Sequence, residues 1–393
     1  MVTPQKIEEW IKEAEERPES GLLILKLIAG RLRDLTERNE ELLSENIALQ
    51  DGTRVEEYRK RIAYLENQLE ILTRRLGESE AGLVSGVAGP PKEATANLLA
   101  YTALGRILRI ELVEATLGPG AQLGCLTGEL QAGGEPVHLM IVREEEELLL
   151  LFTSGRISTH PVGGLRAVPS GEVWSLDEAG LPDEPHAGEQ LACILPLSRL
   201  VLSDYFMQAS RRGFVKKTMT SMAQSVLENH YLGRGAVQKT DRPLAMTLCK
   251  KGEQVALATL EGHLLGLNVD DLSYTTEERL RLEPHDHVVS LFGVSPEATM
   301  VFLTQSGKVI QRAAQSLEPA KSALSKGQAL ISPARLEQGV RFVGAAAVHA
   351  PDRILVLDAK GNLSLHLVSD LAGSGALPDE NPLLTFCVLP GRP

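Results

Sequence analysis

Four cysteines, Cys125, Cys193, Cys249 and Cys387, are scattered along 393 residues without a CxxC pair. That spacing provides neither a zinc site nor a disulfide framework, and it fits small core residues of a reducing cytosol. Long apolar runs are missing too. The most apolar early stretch, GLLILKLIAG, contains Lys26 and follows an acidic segment, so neither a signal peptide nor a membrane span is expected. No GxSxG elbow, Walker loop or HExxH occurs. HDH at 285–287 alternates ligand types in a polar loop with no third partner and reads as solvated, and Glu144–Glu147 reads as a solvated acidic turn. No metal, no cofactor and no enzymatic activity are therefore expected.

Positive charge is in short supply as well: 40 basic against 52 acidic residues give a formal net charge of −12. With 43% hydrophobic and 23% charged residues, the chain can bury cores in two or three domains. Net charge describes a chain, whereas binding describes a face. Residues 1–80, 81–200 and 261–393 are each net negative, while 201–260 hold 9 basic and 4 acidic residues. ASRRGFVKK, residues 209–217, lies in that block.

Thr3-Pro4 reads as an N-cap with a first-turn proline, opening a short helix that ends near Pro18. From Ser20 onward the pattern is that of a coiled coil. Leu32, Leu35, Asn39, Leu42, Asn46 and Leu49 alternate threes and fours. Asp51-Gly52 breaks the rhythm, and Val55, Tyr58, Ile62, Leu65, Leu69, Leu72 and Leu76 resume it in a new frame. Asparagines at a positions favour pairing across a parallel homodimer; the alternative is two helices folding back at Gly52. Residues 1–77 are thus expected to be a helical coiled-coil dimerisation region. Residues 78–95, rich in Gly, Ala, Ser and Pro, read as a linker.

Residues 96–393 repeat one unit six times: LLAYTALGRILRI, LLLLFTSGRISTH, DYFMQASRRGFVKKT, QVALATLEGHLLGL, TMVFLTQSGKVIQR and RILVLDAKGNLSLH. The pivot glycines are Gly105, Gly155, Gly213, Gly262, Gly307 and Gly361, and an apolar residue always follows two places later. Four copies add a leucine at plus ten: Leu165, Leu272, Leu317 and Leu371. Each copy is an apolar strand, a turn whose glycine takes positive φ, and a second strand, which makes a β-hairpin. One hairpin cannot bury its own face. Six units of about 50 residues imply a mostly β, six-bladed radial array, with PLLTFCVLP expected to close the ring. Whether blades exchange strands, as in a pinwheel, or close as an ordinary propeller is left open by the sequence.

The repeat, an apolar strand, Thr, two small or polar residues, Gly, a basic residue and an apolar one, resembles the blade of the C-terminal domain of DNA gyrase A and of its topoisomerase IV relative. VFLTQSGKVIQRAAQSLEPAKSALSKGQAL, residues 301–330, carries the resemblance most fully. It covers roughly residues 96–390 and implies a six-bladed β-pinwheel that binds DNA on a basic rim. Of the family's box, Gln-basic-Arg-Gly-Gly-basic-Gly, NHYLGRG keeps Gly233, Arg234 and Gly235, and it lies in the third repeat rather than the first blade. The family's breakage-reunion region, with a catalytic tyrosine after an arginine, is not matched. None of the six tyrosines here follows an arginine.

Sequence-nonspecific binding to double-stranded DNA needs cations aimed at phosphates, not base-specific geometry. Arg211, Arg212, Lys216, Lys217, Arg234 and Lys239 from the third repeat and Lys308, Arg312, Lys321 and Lys326 from the fifth are the candidates. The second repeat, with Glu144–Glu147, and the fourth, with Asp270, Asp271, Glu277 and Glu278, offer acid instead, so contact over a short arc is expected rather than a full wrap. The expectation is a cytoplasmic, nucleoid-associated DNA-binding protein, dimerised by its coiled coil, with a topoisomerase or another protein as a further partner. The alternative is a protein-interaction propeller scaffold that has lost DNA wrapping.

Overall fold

A computed structural model describes residues 96–391, apart from 114–116, 119, 133, 134, 182, 233–240, 321, 323, 372–374 and 378–380. The coiled-coil seam from Leu32 to Leu76, the linker, Lys321, Lys239 and the box residues Gly233, Arg234 and Gly235 lie outside the described residues. Lys92–Pro393 forms one compact unit.

All six repeats are antiparallel hairpins. They pair Ala96–Tyr101 with Ile107–Leu112, Glu147–Phe152 with Ile157–Pro161, and Tyr205–Ser210 with Phe214–Met219. Gln254–Thr259 pairs with His263–Asn268, Thr299–Thr304 with Val309–Ala313, and Arg353–Asp358 with Asn362–Leu367. The polar residue that recurs before five of the six turns has a defined task; the second hairpin has Phe152 there. The Thr102, Ser210, Thr259 and Thr304 hydroxyls, and the Asp358 carboxylate, each accept the N–H four residues on, closing the turn. Gly361 at φ 88° carries a second constraint: a Cβ there would lie 1.9 Å from the Leu126 carbonyl oxygen.

Each hairpin's first strand pairs on its other edge with an inner strand. In blade order these are His138–Val142, Leu191–Pro196, Pro243–Cys249, Val288–Val294, Phe342–Val348 and Leu383–Leu389. PLLTFCVLP thus supplies the inner strand of the sixth blade. The first hairpin strands are wedged between two neighbouring blades, so consecutive residues enter different cores. Leu98 packs between the sixth and first blades, and Leu99 between the first and second. That is why these strands read as unbroken apolar runs rather than alternating ones. The four leucines at plus ten are 4–6% exposed, plugging the seam where the chain leaves the second strand.

Strand exchange is present in every blade. The fourth, outer position is filled by chain that follows the next blade's hairpin: Ala167–Pro169 on the first, Tyr231 on the second, Glu277–Glu278 on the third, Gln328–Ala329 on the fourth and Ala376 on the fifth. Gln122–Thr127, after the first hairpin, completes the sixth and closes the ring. The arrangement is therefore a pinwheel. It also moves charge: Glu277 and Glu278, assigned by sequence order to the fourth repeat, lie along the outer edge of the third. Among the described residues no helix is long and apolar enough to cross a membrane.

Candidate nucleic-acid interface

Strand alternation separates the two lysines of the third hairpin. Lys216 sits opposite Gln208 on the side facing the second blade, half-buried, with no ammonium partner among the described residues. Lys217 points the other way and is 3% exposed. Its Nζ donates to the carbonyl oxygens of Val269 (2.8 Å) and Asp270 (3.4 Å) and lies 4.8 and 5.0 Å from the Tyr205 and Tyr274 ring centres. The expectation that Lys217 faces outward is corrected: this cation is used to hold the third and fourth blades together.

The turn arginines are also engaged. Arg212 donates from its backbone N–H to Asp241 (3.0 Å) and from its guanidinium to the carbonyl oxygens of Asp286 (2.7 Å) and Glu283 (3.3 Å). Arg211 and Arg242 both bond the carboxylate of Glu135, and Arg242 also bonds the Gln190 side chain. Burial, then the like charges of Arg242 and Arg212, holds the Arg211 guanidinium below its ordinary range.

HDH at 285–287 is not a uniformly solvated loop. Asp286 is 2% exposed, accepts the N–H groups of Glu261 and His287 (2.9 Å each) and pairs with His263 at 3.3 Å. Burial alone would raise the Asp286 carboxyl; His263 and the two backbone N–H groups outweigh it and bring it below the usual carboxylate range. Asp286 in turn raises His263. Among the described residues no three ligating side chains converge for a metal.

Of the fifth-repeat cations, Lys308 is half-buried with no ammonium partner among the described residues, and Arg312 is exposed, donating to the Gln311 carbonyl (3.2 Å). Lys326 is 62% exposed and pairs at 3.0 Å with the equally exposed Glu283. Strand exchange then brings Lys326 to a place its sequence position does not suggest. The segments around Leu280 and Ser325 run side by side: Arg281 donates its N–H to Ser325 O (2.8 Å), and Ser325 to Arg279 O (3.1 Å). Lys326 and the exposed Arg281 thus flank Glu283, whose carboxyl they hold below its usual range, Lys326 the more strongly. Arg279, 11% exposed, pairs with Glu277 at 3.6 Å. Arg212 reaches the same loop from the third hairpin through the Glu283 carbonyl.

The result is a basic seam, Arg281 and Lys326, on the outer side of the third and fourth blades, with Arg212 bound to the carbonyls of the same loop. Arg281 is the residue that sequence reasoning missed. Its signal was the alternation of ERLRL at 278–282, which places two arginines two apart on extended chain. Of the described residues on either side of the box, Leu232 donates to Gly155 O (3.0 Å) at the turn of the second hairpin, and Asp241 holds Ser210 (2.5 Å) and Arg212 at the turn of the third.

No family model matches the chain, and no curated protein matches it in sequence. Solved structures do. The C-terminal domain of DNA topoisomerase IV superposes with a TM-score of 0.51 at 17% identity, covering 76% of this chain and 94% of that one. The DNA gyrase A C-terminal domain gives 0.57 at 14% identity, covering 74% and 98%.

Proposed function

We propose that this chain, which shares the fold of the gyrase A and topoisomerase IV C-terminal domains, is a non-enzymatic DNA-binding pinwheel. Binding is through phosphates and not bases, because among the described residues the exposed cations lie on strand edges and loops and not on a helix that could enter a groove. The observation that carries this reading is the seam of Arg281 and Lys326, where two cations from different repeats share one exposed carboxylate, with Lys308 and Arg312 on the neighbouring blade. The N-terminal heptads would make the particle a dimer, so that two modest patches act together.

A scaffold for protein partners is the second reading. It is favoured by the internal engagement of Arg211, Arg212 and Lys217, which leaves the most basic stretch of the sequence little free charge. Anisotropy of the full chain titrated onto a long labelled duplex separates the two. The DNA reading expects log affinity to fall with log salt at about 0.9 per phosphate neutralised, with a total slope of roughly two to four. Absence of binding at low salt would transfer the function to protein partners.

A further inference from the structure

Inside the six inner strands runs an axial channel of about 600 Å³. One mouth is built from the third hairpin's turn and the short hairpin Gln131–Ala132/Glu135–Pro136. Arg211 and Arg242 converge there with side chains 28% and 25% exposed, and Glu135, 11% exposed, puts one carboxylate oxygen on both guanidinium groups. Two partly desolvated cations on a single oxygen form the donor geometry of an oxyanion site, filled by a side chain of the protein itself.

Two histidines lie on the largely apolar channel wall near this pair. His287 precedes Val288, whose N–H donates to Arg211 O (3.0 Å), and its imidazole is lowered to about 4 by burial and then by Arg211, with Arg242 and Arg212 adding to it. His138, stacked on Tyr101 at 5.1 Å, is likewise held at about 4 by burial and Arg242. Neutral imidazoles accept and donate hydrogen bonds without adding charge. Beyond burial, both rings feel the arginines of this mouth.

We propose that Arg211 and Arg242 form a phosphate-binding site at this mouth of the channel, closed by the carboxylate of Glu135 and opened when a phosphate oxyanion exchanges with it. A tetrahedral dianion offers each guanidinium its own pair of oxygens, whereas the single Glu135 oxygen serves both, so phosphate satisfies more of the donors present. The volume of the channel accommodates a free phosphate or the terminal phosphate of a nucleotide. The site does not depend on DNA binding by the outer seam, which lies on other residues.

The test uses the full chain and inorganic phosphate. Titration calorimetry in a chloride buffer of matched ionic strength should detect phosphate, and Glu135→Gln, which removes the competing charge while keeping the shape, should bind roughly tenfold more tightly or better. At mildly alkaline pH, where inorganic phosphate is a dianion, its binding should also shift the ring proton resonances of His287, which lies in the field of Arg211 and Arg242. The double variant Glu135→Gln, Arg242→Gln should lose both responses, and if it melts early, the single Arg242→Gln with Glu135 intact serves as the same control. A short duplex added in place of phosphate distinguishes backbone phosphate from the free ion: a His287 shift with both means that either source enters, and a shift with phosphate alone restricts the site to small ligands. No phosphate response in either the wild type or Glu135→Gln overturns the proposal.

Discussion

Lys217 and Lys326 have the same ammonium on the same four-carbon stem, yet the first is 3% exposed and the second is 62% exposed. The regions around them differ in the same way. In the third hairpin, Arg211, Arg212 and Lys217 are consumed by Glu135, by backbone carbonyls and by two tyrosine rings. At the outer seam, Arg281 and Lys326 meet water and one exposed carboxylate. Density of basic residues along a sequence therefore measures neither accessibility nor sign of a surface. A buried cation with carbonyl and aromatic partners is a structural group, and its removal leaves acceptors unpaired.

Lys217→Ala should break the comparison hardest, because it strips Val269 of its donor and empties space between two blades. A loss of about 3 kcal/mol is expected in urea unfolding, with unchanged DNA affinity in the protein that remains folded. A weakened DNA complex at unchanged stability would return Lys217 to the interface.

Asp286→Asn should come next, costing about 2 kcal/mol near neutral pH through its buried pairing with His263. The pH dependence has a sign that can be checked. His263 is raised, so its share of stability is complete below the ordinary histidine pKa and is lost as pH climbs through the raised value. Asp286 is lowered, so its share is present above the ordinary aspartate pKa and is lost as pH falls through the lowered value. Stability from the pair should therefore peak in the mildly acidic window between the two ordinary values, and Asp286→Asn should flatten the decline on its alkaline side. An unaltered pH profile would remove the pair from the account.

The smallest effect on folding is expected at the seam. Arg281→Gln with Lys326→Gln should leave the melting midpoint where it is, while lowering DNA affinity and reducing the salt slope by about two. Lys216→Gln, at a half-buried but unpartnered lysine, should reduce the slope by about one at most. If the double seam variant binds DNA as the wild type does, the interface lies elsewhere on the ring.

Blade number, hairpin positions and turn chemistry were readable because each is local. A strand and a glycine at positive φ fall within about ten residues in all six copies, five of which add a polar side chain accepting the N–H four residues on, and the copies reinforce one another. The unbroken leucines of LLLLF read as an apolar strand, and the structure adds that its two faces enter different cores. Strand exchange was not readable, since it depends on which blade edge a segment reaches some fifty residues later. Arg281 escaped notice for that reason: its neighbour Lys326 is 45 positions away, and only the outer ladder of Leu280 and Ser325 brings them together. Glu277 and Glu278 were assigned to the wrong blade by the same reasoning.

By itself, the sequence determined that this is a ring of six hairpins with scarce positive charge and one basic block, because hydrophobic periodicity and turn residues act over short separations. Only the tertiary structure decided which of those cations face water. Alternation sends Lys216 and Lys217 to opposite sides of one strand, and the exchanged outer strands bring carboxylates and carbonyls from distant repeats to whichever cations they pass. Burial energies and ion pairs depend on distance in space, and in a closed ring that distance bears little relation to separation along the chain.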